Sequence, residues 1–318
     1  MADASVSKLL EGLPTNWGRW GNDDEIGGLN FLTKEEIARG VASIRNNKPF
    51  ALSVVIGSPK GDPVWPGRSG AVKLMTQDKG SYTSGKLSAL HGGLEYADDY
   101  VTMYLQGTTQ FDGLGHTWYD DRLYNGFDAG TTVAGLDKAS VLPLAERTAT
   151  GHAVLLDVAK ARGKARLGKG EQISLKDLLD CAAKQGTKLQ KRDILLIRTG
   201  WLSMFYDEGA AKFYDPPFIE PGLVFSRELV EWFHEMEIPL LGTDTIANEI
   251  TVDPNNGIVL PLHSALMRNL GVVFNEILWL EDLAKDCAAD GRYDFFYTAA
   301  PLKVFRGSGA PVNPVVIK

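Results

Sequence analysis

An α/β fold built on a mixed sheet is what the sequence predicts, and three stretches carry the prediction. Asp193-Ile-Leu-Leu-Ile-Arg198 is an unbroken apolar run of strand length, as expected of a strand covered on both faces. Ile173 to Gly186 places Ser174 before apolar residues at helical spacing and ends on glycine, which marks a helix. Strand-like and helix-like segments are interspersed without a steady βαβα beat, which argues against a doubly wound sheet or a (β/α)8 barrel.

In chain order, residues 1–32 are rich in Trp, Gly, Asn and Asp, so they predict an irregular arm that covers an apolar surface with Trp17 and Trp20. Residues 33–318 read as one domain. Thr33 with Glu36 forms a capping box for a helix reaching about Asn46. Phe50–Ile56 reads as a strand, and the Gly/Pro-rich stretch 58–80, with Trp65-Pro-Gly in its middle, as a long loop on a pocket rim. Val101–Leu105 reads as a further strand. Gly151–Val158 is a buried strand whose His152 is expected to be a structural or surface imidazole rather than a ligand. Residues 203–223, with Pro216, Pro217 and Pro221, predict an irregular connection, and Ser226 caps a helix to about Met236. Pro239–Asp244 is a short strand and 250–259 a loop. The last strands are expected around 272–278, 294–299 and 302–306.

Bulk properties narrow the function. With 318 residues, 44% hydrophobic and 23% charged, the chain can bury a sizeable core. A net charge of −7 and a pI near 5.3 argue against nucleic acid or an anionic membrane as partner and leave a small molecule or a protein. Cys181 and Cys287 are too isolated for a disulfide framework or a zinc ribbon. The N-terminus lacks a basic and apolar leader pattern and no apolar run reaches membrane-spanning length, so a cytoplasmic location is expected. Familiar signatures are missing: there is no G-x-S-x-G elbow, no P-loop, no H-E-x-x-H and no dinucleotide fingerprint.

Chemistry concentrates in Gln106-Gly-Thr-Thr-Gln-Phe-Asp-Gly-Leu-Gly-His116. Along an extended chain, Gln106, Gln110 and Asp112 point the same way and can converge on one spot. Spacing alone leaves open an ordinary strand-to-turn junction in which Asp112 caps backbone N–H groups. Downstream, Thr117–Gly126 mixes aromatics with charge, so Trp118 and Tyr124 can wall a planar ligand, unless the segment is a packed surface loop.

The motif resembles the signature of the cyclase family, the group that includes bacterial kynurenine formamidase and isatin hydrolase: His-x-Gly-Thr-His-x-Asp-x-Pro-x-His. Thr109, Asp112 and His116 keep its spacing, whereas Gln106 and Gln110 stand where the family has histidines, Thr108 where it has Gly and Leu114 where it has Pro. Trp17–Asn30 and Leu241–Thr245 look like other family segments, and His263 and Glu276 like its distal ligands, so the resemblance spans roughly residues 15–306.

This resemblance implies a swivelling β/β/α domain with a mixed sheet. It implies a divalent metal held at the positions of Gln106, Gln110, Asp112, His263 and Glu276, with His116 as acid/base beside Asp112. It also implies a homodimer or homotetramer, with Phe111, Trp118, Tyr124 and Trp17 lining the substrate pocket. The activity expected is hydrolysis of a small cyclic amide, lactone or arylformamide, in which an ion-acidified water attacks and His116 moves the proton. Amide oxygens are harder and weaker donors than imidazole, so one ion is expected, Mn²⁺ ahead of Zn²⁺. A metal-free relative that binds a small molecule, or acts as a cyclase or lyase, is the alternative.

Overall fold

Apolar runs and alternating segments from both halves of the chain meet in one sheet. The computed structural model describes residues 5–318, so the first four residues of the expected arm lie outside it. The nine strands lie in the order Pro49–Ala51, Val315–Ile317, Asp294–Ala299, Ala149–Asp157, Ile194–Arg198, Leu240–Thr243, Val273–Glu276, Gln110–Asp112 and Gly309–Pro311. The four strands from Ala149–Asp157 to Val273–Glu276 pair in parallel. The outer strands on either side are antiparallel.

Burial explains the patterns. Every residue of Ile194–Arg198 is buried, whereas Asp294–Ala299 near one end of the sheet buries alternate residues, Phe295, Tyr297 and Ala299. Leu175–Gln185 turns Leu178, Cys181 and Ala182 to the core, with the Ser174 cap and the left-handed Gly186 at its ends. Ser226 caps Arg227–Glu235, which buries Leu229, Val230 and Phe233. These two helices and the π-helix His263–Asn269 fall between successive parallel strands, so a regular beat does exist between residues 149 and 276. Antiparallel strands at both flanks hide it from the sequence as a whole. Gly242 in the sixth strand has no room for a side chain, because a Cβ there would lie 2.7 Å from both Leu196 and Leu278.

Several sequence expectations shift. The arm is not wholly irregular: it holds a short helix, Val6–Leu10, and a 3-10 turn, Gly27–Phe31, which bury Leu10 and Leu29. The Thr33 capping box is present, but its helix ends at Ser43. The strand expected over 50–56 shortens to Pro49–Ala51. Within 58–80 the chain forms Val72–Gln77, which pairs with Asp98–Thr102 in a separate two-stranded ribbon, so the strand expected at 101–105 lies outside the main sheet. The aromatic-rich stretch after Thr199 is helical over Trp201–Glu208. No strand forms at 302–306; Gly309–Pro311 and Val315–Ile317 take its place. Among the described residues no helix is long and apolar enough to cross a membrane.

His152 is a structural imidazole. Burial disfavours its charged form, but bonds from Nδ1 to Asp193 (2.8 Å) and from Nε2 to Asp294 (3.4 Å) outweigh that and raise its pKa to about 8. The folded value exceeds the unfolded one, so this contribution is complete below about pH 6.5 and disappears as pH rises through 8. Urea titrations between pH 6 and 9 should show about 1 to 2 kcal/mol of stability lost on this account. His152→Gln should flatten that slope, and an equal slope in the variant would assign the pH dependence elsewhere.

Candidate metal centre

Gln110-Phe-Asp112 is a short strand held between Val273–Glu276 and Gly309–Pro311. Side chains alternate, so Gln110 and Asp112 leave one face and Phe111 the other. Register places Gln110 opposite Glu276, and Gln110 Nε2 donates to Glu276 Oε2 at 2.9 Å. From behind, Tyr297 Oη donates to Asn275 Oδ1 (2.8 Å) while Asn275 Nδ2 donates to the Gln110 carbonyl (2.9 Å). Thr109 fixes the start of the strand, its hydroxyl donating to the Ile277 carbonyl and accepting from Val54 N at 3.0 Å.

His263 arrives from the other side at the head of the π-helix. Glu249 holds it there, accepting from Leu262 N, His263 N and His263 Nδ1, each at 2.7 Å. With Nδ1–H committed to Glu249, Nε2 is the nitrogen turned toward Glu276 Oε1, 3.5 Å away. Gly271 then takes a positive φ of 69° and turns the chain into the strand that carries Glu276. Asp112, His263 and Glu276 thereby bring donor atoms within 4.8 Å of one another, all buried.

Electrostatics at this spot are unbalanced. Burial and the neighbouring Asp112 push the Glu276 carboxyl up to about 8, and burial raises Glu249 despite its bonds to His263. His263 is pushed up to about 10, because Glu249 and Glu276 outweigh its desolvation. Both Asp112 oxygens and Gln110 Oε1 are buried without a hydrogen-bond partner. Buried polar atoms are seldom left so, and oxygen atoms crowded around one imidazole nitrogen fit a divalent cation. His116 borders a cavity of about 210 Å³ shared with His263 and Glu276. Burial lowers its pKa against the pull of Asp112, so the imidazole is neutral near pH 7.

The other expected site residues separate. The Gln106 amide lies 3.4 Å from His116 Nδ1 and 3.0 Å from Ser308 Oγ, so its neighbours are His116 and Ser308. Phe111 and Tyr124 do not line the cavity: both are fully buried in the hydrophobic core, Phe111 because alternation turns it from the site. Tyr124 packs on Gly271 and donates to Asp24. Trp17 stacks on Arg268, 4.4 Å from ring to guanidinium, and donates to its carbonyl. Trp118 is 45% exposed and does not line the cavity. Sequence reasoning missed Glu249, Asn248, whose Nδ2 reaches Glu276 Oε1 at 3.3 Å, and Arg68, whose Nη1 donates to the Gln106 carbonyl at 3.0 Å. Only polar character in loops marked them.

Two substitutions probe this arrangement. Glu249→Gln should weaken Mn²⁺ affinity about 10- to 100-fold in a direct titration, because the partner that orients His263 is lost. Gln110→His should tighten Zn²⁺ binding by adding a nitrogen donor where Oε1 is unpartnered. An unchanged affinity in Glu249→Gln would show that His263 needs no orienting carboxylate, and one in Gln110→His would place position 110 outside an ion's reach.

The Cyclase family model matches residues 50–250. The crystal structure of a novel cyclase is 37% identical, covers 96% of this chain and 100% of its own, and superposes with a TM-score of 0.87. Isatin hydrolase A from Ralstonia solanacearum shares the fold at 19% identity, over 88% of this chain and 95% of its own, with a TM-score of 0.60. A structure from Bacillus stearothermophilus described as a predicted metal-dependent hydrolase does so at 16% identity, over 85% and 97%, with a TM-score of 0.52. Among curated proteins none matches significantly. The sequence motif, the mixed sheet and a full-length relative agree: the chain belongs to the cyclase family.

Proposed function

We propose that the protein is a metal-dependent hydrolase of a small amide or ester, with a cyclic amide, a lactone or an arylformamide as the substrate classes to test first. The observation that carries this reading is the convergence of Asp112, His263 and Glu276 within 4.8 Å, with both Asp112 oxygens unpartnered in the interior. Asp112, His263 and Glu276 would hold the ion, and Gln110 Oε1 is a fourth candidate. Two carboxylates, one imidazole and an amide oxygen suit Mn²⁺ somewhat better than Zn²⁺. When bound, such an ion lowers the pKa of water and polarises a carbonyl.

The chain's own groups do the rest. His116, neutral and adjoining the same cavity, takes a proton from the attacking water and returns it to the leaving nitrogen or oxygen. An amide's two ends are interchangeable by rotation, and the Ser308 hydroxyl can donate as well as accept. With the Gln106 oxygen toward His116, Nδ1–H donates to it and Nε2 is the atom that carries the proton. Gln106 is thus a positioning residue for the imidazole.

A second reading has its own observation: Gln110 and Asn248 already donate to Glu276, as amides would in a protein that manages its buried acids without an ion. It predicts a metal-free binder or lyase working through His116. Metal analysis after purification separates the two. About one equivalent of ion, with turnover of isatin, simple lactones or N-formylaniline abolished by chelation, supports the hydrolase; chelator-insensitive turnover overturns it.

His116→Ala should lower kcat by about 10² to 10⁴ while leaving Mn²⁺ uptake intact. Asp112→Asn should move metal binding and stability in opposite directions: Mn²⁺ uptake is lost, while the metal-free melting temperature rises because a crowded buried carboxyl is removed. A lower melting temperature in Asp112→Asn would show that Asp112 serves the fold and not an ion.

A further inference from the structure

Part of the cavity wall comes from a loop, residues 57–71, that is fastened in place. Asp62 accepts from Gly57 N and Ala71 N, both at 2.8 Å, and Tyr214 Oη donates to the Val64 carbonyl at 2.7 Å. Trp65 and Arg68 from this loop border the 210 Å³ cavity and also an outer groove of about 670 Å³. Aromatic rings of Trp65, Tyr214, Phe218 and Phe205 line that groove, with Trp65 edge-on to Phe218 at 6.2 Å.

Arg68 stands at the junction of the two spaces. It is half-buried, one nitrogen is tied to the Gln106 carbonyl at 3.0 Å, and among the described residues it forms no ion pair. Contrast Arg198, whose buried guanidinium pairs with Asp157 and Glu281. A planar guanidinium at a cavity mouth with donors to spare is built for a carboxylate, which it grips through two parallel bonds. The flat apolar walls alongside suit an aromatic ring.

We propose that Arg68 determines specificity by binding the carboxylate of an aromatic substrate whose ring lies in the Trp65 groove and whose scissile group enters the metal cavity. This inference rests on the hydrolase reading only for the last clause; the anion site itself does not require a metal.

Benzoate and its neutral counterpart benzamide test it by calorimetric titration. With Mn²⁺ supplied, wild-type protein should bind benzoate about tenfold or more tighter than benzamide, and salt should weaken benzoate alone. Arg68→Gln should erase the preference while leaving benzamide affinity unchanged and without lowering Mn²⁺ affinity, and Arg68→Lys should keep some of the preference. The wild-type pair is then repeated in chelator, where a preference that survives belongs to the guanidinium. A preference that vanishes with the metal, or an Arg68→Gln protein with lower Mn²⁺ affinity and an unaltered preference, overturns the proposal. If no metal binds at all, the chelator arm still decides it, so failure of the hydrolase reading is read separately. The wild-type salt and chelator measurements stand even if Arg68→Gln does not fold.

Discussion

Strand register forces buried carboxyl groups to share one small volume, and much of the site follows from that crowding. Gln110 faces Glu276 across the ladder, Asp112 leaves the same face two residues on, and His263 enters with Glu249 attached. Removing such groups from water costs several kcal/mol each unless charge of opposite sign or hydrogen bonds offset it. One imidazole and two amides answer some of that demand, yet both Asp112 oxygens remain without partners. A sheet that only had to be stable would place apolar residues here. Retaining acids on one face of two paired strands makes sense where a cation is to be gathered.

The π-helix at His263–Asn269 shows how the fold and the site are joined. Helix beginnings leave backbone N–H groups without intrahelical partners, and two of these, on Leu262 and His263, donate to the Glu249 carboxylate. The same carboxylate accepts from His263 Nδ1, so it satisfies the helix start and fixes the imidazole at once. Wide helical turns of this type recur at functional sites because they re-aim side chains that a regular helix would direct elsewhere. Asp244 has a comparable role just past the end of the neighbouring strand Leu240–Thr243. It accepts from Thr199 N, Thr199 Oγ1 and Gly200 N, so that the ends of adjacent parallel strands stay in step.

Much of this was legible in the sequence where a local rule applied. Caps at Thr33, Ser174 and Ser226, the buried run at 194–198 and the strand expected around 272–278 depend on neighbours in the chain, and the structure has them. The motif's resemblance brought Asp112, His263 and Glu276 together although more than 150 residues separate the first from the others. What sequence could not resolve needed three dimensions. Phe111 and Trp118 both look like pocket aromatics, but which face of a strand is apolar depends on its partners, and Phe111 faces the core. Val101–Leu105 has strand chemistry, yet nothing local says that its ribbon stands apart from the main sheet. Glu249 and Arg68 act through backbone groups or cavity walls distant in sequence, so no spacing announces them.

The two glutamines give the arrangement its particular character. An imidazole at position 110 would offer one nitrogen to a cation and could not donate to Glu276 from that same atom. An amide has two ends: Nε2 binds Glu276 while Oε1 stays free and buried. Gln110 can therefore quiet one acid in the absence of metal and still present an oxygen when metal arrives, at the expense of affinity that an imidazole would bring. At Gln106 the amide turns to His116 and Ser308, where in the proposed mechanism it would orient the proton carrier. Exchange of imidazole for amide thus redistributes contacts within the site: one glutamine donates to a carboxylate and the other adjoins an imidazole, and in the proposed reading the ion would fall to the two acids and the single histidine that the fold crowds together.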